Sequence, residues 1–235
     1  MSKSVSSLMN KYSTKKTYGS LNKVISFGDY LALIRIDPKL LRNSYQRLFD
    51  MVTQDGYKDY KKLRNTYRRW IFFDDAAGSG KDAVFGIDNE LNRLVEILGA
   101  GAKGYGVDKR LLLLHGPVGS AKSTIARLLK RGLERYSKSP EGQMDTFKIF
   151  DTESKEWVLS PMHEEPAKLI PEEIRNAFIS DLLDGVDYKY KLTSYKGRLD
   201  PASQKYFDSI MELCEGDWDK ATKDYVQVVR LIVSE

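Results

Sequence analysis

Apolar positions along the chain fall into separate runs, and most carry helical spacing. Tyr30, Leu31, Leu33 and Ile34 predict a helix over Ser26–Ile36. Asp37-Pro38 then supplies an N-cap with proline at the first helical position. The second helix places Leu41, Tyr45, Leu48 and Val52 on one face, and Asp55-Gly56 breaks it. Tyr60, Leu63, Tyr67 and Trp70 fall at i, i+3, i+7 and i+10, the buried stripe of a third helix. Asp88 caps a fourth, with Leu91, Leu94, Val95 and Leu98 inward. Leu111–Leu114 break the pattern: four leucines in a row predict a strand buried on both faces. Helical spacing returns at Ile125, Leu128, Leu129, Leu133 and Tyr136.

Further on, Thr146–Phe150 predicts a strand ending at Asp151, and Ser160–Pro166 an extended loop, because both prolines forbid helix behind them. Pro171 starts a helix through Ile174, Phe178, Leu182 and Leu183, closed by Gly185. Another helix is expected near Ser203–Cys214, and Val226–Val233 is strand-like. Ser- and Lys-rich residues 1–20 predict a mobile tail. The expected organisation is that tail, a helical region over 21–82 and a nucleotide-binding domain over 83–235.

The chemistry concentrates between the leucines and the helix that follows them. Gly116, Pro117, Val118, Gly119, Ser120, Ala121, Lys122, Ser123 and Thr124 combine a strand, a glycine turn, Lys-Ser and a helix, the ingredients of a phosphate-binding loop. Glycines let backbone N–H groups turn toward an anion, and the helix N-terminus adds roughly half a positive charge. Lys122 would reach the β- and γ-phosphates, Ser123 would offer its hydroxyl to Mg²⁺, and Thr124 would reach the α-phosphate region. Ala121 departs from the pattern, since glycine usually precedes the lysine; binding should survive unless that position needs a positive φ.

Two rival glycine motifs fail on context. Gly78-Ser-Gly-Lys81 lacks the glycine five residues before Gly80, and Asp82 stands where a metal-binding hydroxyl belongs, so it reads as a turn. Gly99–Gly106 matches G-x-G-x-x-G, but a helix precedes it and a strand follows, the reverse of a dinucleotide fingerprint, so it reads as a flexible connector. A catalytic set is not visible. Asp151 and Glu235 are not the paired acids expected at the end of an apolar strand. His163-Glu164-Glu165 lacks the second histidine of a metalloprotease motif, and His115 is expected to be structural. The H-R-D and D-F-G signatures of protein kinases are absent.

Charge changes the picture only at the front. Residues 1–82 hold 16 Lys+Arg against 8 Asp+Glu, and 83–235 hold 22 against 25. Bases interleaved with rings over Tyr57–Trp70 can track a nucleic-acid backbone while stacking on bases. A solvated helix face over a buried stripe explains the same residues, and that reading argues against nucleic acid. The composition, 41% apolar and 30% charged with one cysteine, fits a soluble domain without a disulfide framework. No apolar run reaches the length of a membrane span, and the N-terminus has no signal-peptide core, so the cytoplasm is expected.

The runs Ser26–Leu31, Arg42–Asp50, Gly80–Gly86, Leu113–Ser123 and Ser160–Pro166 resemble the bacterial PrkA-type serine protein kinase family. The resemblance implies a P-loop NTPase core of three-layer αβα, AAA+-like type, incomplete in this chain, with a helical N-terminal extension. It implies ATP with Mg²⁺ held by Gly116, Gly119, Lys122, Ser123 and Thr124, and adenine near Val84, Phe85 and Gly86. It also implies a protein substrate or partner and an AAA+-like ring of copies. Where many relatives carry Cys-Pro-x-Cys, this chain has Asp200-Pro-Ala-Ser203, so no metal is expected there. The chain stops before the family's acidic Walker B strand, so the domain is expected to be truncated on its C-terminal side and weak or inactive alone as an ATPase. Three functions remain open: an ATPase module serving a kinase, an AAA+ ATPase driving remodelling or proteolysis, and a non-enzymatic nucleic-acid binder.

Overall fold

The computed structural model describes residues 21–107 and 111–234; the tail expected over residues 1–20 lies outside them. In chain order the elements are β1 (Val24–Ser26), α1 (Phe27–Ile36), α2 (Ser44–Thr53), β2 (Tyr57–Lys62), β3 (Asn65–Trp70), α3 (Asp88–Ala102), α4 (Lys122–Lys138), β4 (Asp145–Phe150), β5 (Trp157–Leu159), α5 (Glu172–Leu182), α6 (Pro201–Leu213), α7 (Trp218–Tyr225) and β6 (Val226–Arg230). They form a mixed α/β structure that divides into two compact units interleaved along the sequence.

One unit gathers the described residues up to Leu40 with Gln143–Val186 and Tyr195–Ile232. Its four-stranded sheet runs β1-β6-β4-β5, antiparallel throughout. Alternation along β4 and β6 sends Phe147 and Ile149, opposite Val228 and Val226, into the core. Ser26 caps α1 by accepting from the Asp29 amide at 3.1 Å, which lets α1 bury Phe27, Tyr30 and Ile34. Asp200 caps α6, with Pro201 at the first helical position, and α6 buries Phe207 and Ile210.

The second unit comprises Leu41–Gly142, Asp187–Ser194 and the last residues from Val233. Its core is Met51 and Val52 of α2, Phe72 and Phe73, Val84, the inward face of α3, and Ile125, Leu128 and Tyr136 of α4. The second helix starts later than expected. Asp37-Pro38 opens a short 3₁₀ turn, and Asn43 with Gln46 makes a reciprocal capping box that sets the start of α2 at Ser44. A buried network braces this unit. Arg42 donates to Asp50 at 2.5 Å and to the Tyr136 hydroxyl at 2.9 Å, while Lys189 and Tyr190 each donate to the other Asp50 oxygen at 2.6 Å. Burial acts to raise the Asp50 pKa, but the hydrogen bonds from Lys189, Tyr190 and Arg42 outweigh it and hold the carboxyl below its ordinary value.

Three expectations are overturned. Tyr57–Trp70 is not a helix but the hairpin β2–β3, with Tyr57 opposite Trp70 and Lys62 opposite Asn65. The rings that fit a helical stripe also fit a period of two, and Tyr, Thr and Trp favour strands. Leu63, expected on the buried stripe, is 98% exposed at the hairpin tip. Gly99–Gly106 is no mere connector: α3 runs on to Ala102, and Gly99 and Gly101 are buried. A Cβ at Gly101 would lie 2.3 Å from the Tyr45 ring, and one at Gly99 2.9 Å from Phe49, so these glycines let α2 close against α3. Finally, Leu111–Leu114 is neither a strand nor buried; Leu111 and Leu113 are 93% and 76% exposed. A strand buried on both faces needs neighbours on both edges to satisfy its backbone, and among the described residues none pairs with it.

Candidate functional site

The loop from Gly116 to Ala121 leads into α4, a helix of 17 residues. Gly119 has φ +83° and Ala121 φ +58°. The alanine that replaces glycine before the lysine therefore does occupy a left-handed position. That conformation costs an L-residue about 1–2 kcal/mol. Its methyl packs against the core cluster of the unit, which offsets part of that cost.

Lys122 folds back over the loop. Its ammonium donates to the Gly116 carbonyl at 2.7 Å, the Pro117 carbonyl at 2.5 Å and Ser120 Oγ at 2.9 Å. Ser120 Oγ in turn donates to the Pro117 carbonyl at 2.8 Å. A Cβ at Gly116 would lie 2.8 Å from Ser120 Oγ and 3.9 Å from the Lys122 nitrogen, so only glycine leaves this ring its space. Val118 projects fully into solvent, Ser123 is exposed and Thr124 half-buried.

The head of α4 differs from every other described α-helix. α1, α2, α6 and α7 each have a side-chain N-cap, and α3 and α5 carry acids in their first turns. α4 has neither. The first N–H groups of a helix have no partner within it. At α4 they stand beside a cation instead of a carboxylate, an end suited to an anion from outside the chain.

The segment before α3 is tied to the same helix. Asp82 accepts from Arg127 at 2.6 and 3.0 Å and from Arg131 at 2.8 Å, and the Arg127 guanidinium holds its carboxyl below the ordinary value. Gly78-Ser-Gly-Lys81 is indeed a turn, and the reason is visible. Its glycine-rich backbone wraps the buried carboxylate of Asp75, which accepts from the amides of Gly78 at 3.2 Å and Asp82 at 3.0 Å. The nest is already filled by the chain's own anion.

Of the residues expected near adenine, Val84 is buried in the core, Phe85 is exposed beneath the Arg69 guanidinium at 4.3 Å, and Gly86 turns the chain at φ +81°. The next residue, Ile87, lines a cleft of about 470 Å³ together with Leu91, Leu94, Leu114, His115 and Lys122. The structure thus brings the glycine loop before α4 and α3 to one apolar cleft, while the side chains of Val84 and Phe85 point elsewhere. His115, expected to end a buried strand, is exposed at this cleft.

Among the described residues, the carboxylates singled out by the sequence are engaged elsewhere. Asp151 spends its oxygens on the amides of Glu153 and Ser154, and hydrogen bonds from Ser154 and Glu153 keep its pKa low. In the Ser160–Pro166 loop, Glu164 pairs with Lys168 at 2.6 Å and accepts the Asp200 amide at 2.8 Å. Tyr30, fully enclosed, donates to Glu165, and burial of that carboxyl pushes its pKa up to about 8 although the residue as a whole is only half-buried. Neither this pair nor the Arg42–Asp50 network has a motif by which sequence could find it; each joins residues distant along the chain. Among the described residues, no three His, Cys, Asp or Glu side chains are grouped to hold a metal, and no helix is long and apolar enough to cross a membrane.

The model of the PrkA AAA domain family matches residues 25–211. The chain belongs to that family. It is also similar to the ATP-dependent protease PrkA of Bacillus subtilis (strain 168), with 34% identity over 154 residues. That match covers 65% of this chain and 21% of the relative, so the chain spans about a fifth of the length of the curated relative it matches. No solved structure matches it. The PrkA resemblance read from the sequence is therefore correct, and the domain is an AAA-type, ATP-binding one.

Proposed function

We propose that Gly116–Thr124 holds the phosphates of ATP and that this chain is the nucleotide-binding part of an ATP-driven enzyme acting on proteins. The observation that carries the reading is the head of α4. Alone among the described α-helices it lacks both a side-chain cap and an acid in its first turn, and it opens with Lys122 inside a glycine loop. In this reading the α4 amides and Lys122 take the β- and γ-phosphates. Gly116 and Gly119 keep side chains out of the cradle, and Thr124 reaches toward the α-phosphate. The residues also fit Mg²⁺, since Ser123 is exposed at the helix head with its hydroxyl available; the ion would supply charge neutralisation between the phosphates. The base would lodge in the apolar cleft beside Ile87 and Leu91, reached past Val84, Phe85 and Gly86. A three-layer αβα P-loop arrangement belongs to the same proposal, as do cytoplasmic location and assembly into a ring.

For the whole protein, the resemblance points to a serine protein kinase. The name of the Bacillus subtilis relative favours a second reading, in which the ATPase drives proteolysis. Binding of a fluorescent ATP analogue tests the nucleotide reading. ATP and ADP should displace it and adenosine should not, because the site grips phosphate. Adenosine displacing it as well as ATP does would mean that the phosphate cradle plays no part.

A further inference from the structure

The hairpin β2–β3 carries chemistry that nucleotide binding does not use. Every residue from Tyr57 to Thr66 is exposed. Arg68 is paired with Asp59 at 3.1 Å, and Arg69 with Asp74 at 2.5 Å and Asp88 at 3.4 Å. Lys58, Lys61, Lys62 and Arg64 have no carboxylate partner among the described residues, so four unneutralised cations crowd the tip and its outer strand. Between them stands Leu63, 98% exposed, the first residue of a two-residue loop and held at φ +57°. Glycine or asparagine would take that position without strain. Leucine keeps both the strain and the exposure.

We propose that this hairpin docks an acidic, extended segment of a partner protein, with Leu63 as its apolar anchor. Three observations select that partner. First, β2 pairs only with β3 among the described residues, so its outer edge keeps backbone N–H and C=O groups open to an added strand. Second, the lysines along that edge repel another copy of the same edge and attract carboxylates, which makes the choice of strand electrostatic. Third, the rings on which nucleic-acid bases would stack already have partners within the hairpin or at their hydroxyl. Arg68 lies 3.7 Å over the Tyr57 ring, Tyr60 and Tyr67 stack on each other at 5.6 Å, and the Tyr60 hydroxyl is bound to Asp88 at 2.8 Å. A lipid surface fits less well, because one leucine buries far less than the single acyl chain that already anchors only marginally.

The test uses the 235-residue chain and a fluorescein-labelled synthetic peptide that alternates glutamate with leucine. The same peptide with glutamine for glutamate is the control, and oligothymidylate and phosphatidylserine vesicles are competitors. Fluorescence anisotropy should show saturable binding of the acidic peptide that weakens with salt. Joint Lys61→Glu and Lys62→Glu substitution should weaken it about tenfold or more. Leu63→Gly should weaken it about threefold to tenfold without lowering the melting temperature, because the glycine relieves the backbone while removing the anchor. Equal binding of the acidic and glutamine peptides would overturn the proposal, as would equal binding by the wild-type and charge-reversed chains. Tighter binding of oligothymidylate or of the vesicles than of the peptide would also overturn it and assign the hairpin to nucleic acid or to lipid.

Discussion

Glu165 shows how a single residue can leave a mark on the whole stability curve. Its carboxyl meets the enclosed Tyr30 hydroxyl, and burial raises its pKa from the ordinary 4.5 to about 8. The folded chain therefore keeps a proton that the unfolded chain loses at lower pH. The stability tied to this residue is complete below the unfolded value and is lost as pH rises toward the folded one. Chemical denaturation between pH 5 and 8 should show stability falling with a slope of up to about 1.4 kcal/mol per pH unit. Glu165→Gln, which keeps a neutral partner for Tyr30, should flatten that slope. A variant with the wild-type slope would mean that another group titrates. Sequence held no sign of this pair, because its two residues lie 135 positions apart. The residue-scale features that sequence does show are those with fixed spacing. Lys122 follows Gly116 by six, and the fold brings its ammonium back onto the carbonyl of that glycine. Ala121 marks the limit: its identity is in the sequence, but its left-handed φ is not.

Among the elements, α3 separates what periodicity can read from what it cannot. Leu91, Leu94, Val95 and Leu98 face the core as their spacing predicts. Gly99 and Gly101 were expected to end the helix, because glycine weakens helices, yet here they serve packing. Gly101→Ala tests this directly. Helix propensity alone would favour alanine by about 1 kcal/mol. A Cβ placed 2.3 Å from the Tyr45 ring must instead push α2 away, and overpacking of this kind typically costs about 1–3 kcal/mol. Thermal denaturation should therefore show a less stable protein, and a more stable one would mean that the two helices are not in close contact. The hairpin escapes periodicity for a related reason. Its rings satisfy periods of 3.6 and of two alike, and the deciding partner of each strand residue lies across the turn, where one-dimensional spacing cannot see it. The leucine run misled in the opposite sense: four apolar residues predict burial only if something is there to bury them.

At the scale of the molecule, an AAA-type ATP-binding domain of the PrkA family is present, and its family was legible from short motifs scattered between Ser26 and Pro166. The Gly116–Thr124 turn was legible because its signal is local, a glycine turn followed by Lys-Ser at the head of a helix. Catalytic partners were not, since acids that would complete a site have no fixed distance from the loop, and Asp151 proves to be committed to a turn. In the proposed reading, Lys122 is the residue on which nucleotide binding by this chain turns. Isothermal titration of ATP with Mg²⁺ into the wild-type chain and into Lys122→Ala should show binding by the first and at least about a tenfold weaker interaction, or none, with the second, since one charge-assisted contact of this kind is worth about 1.5–3 kcal/mol. Equal heats and equal affinity for the two proteins would contradict it.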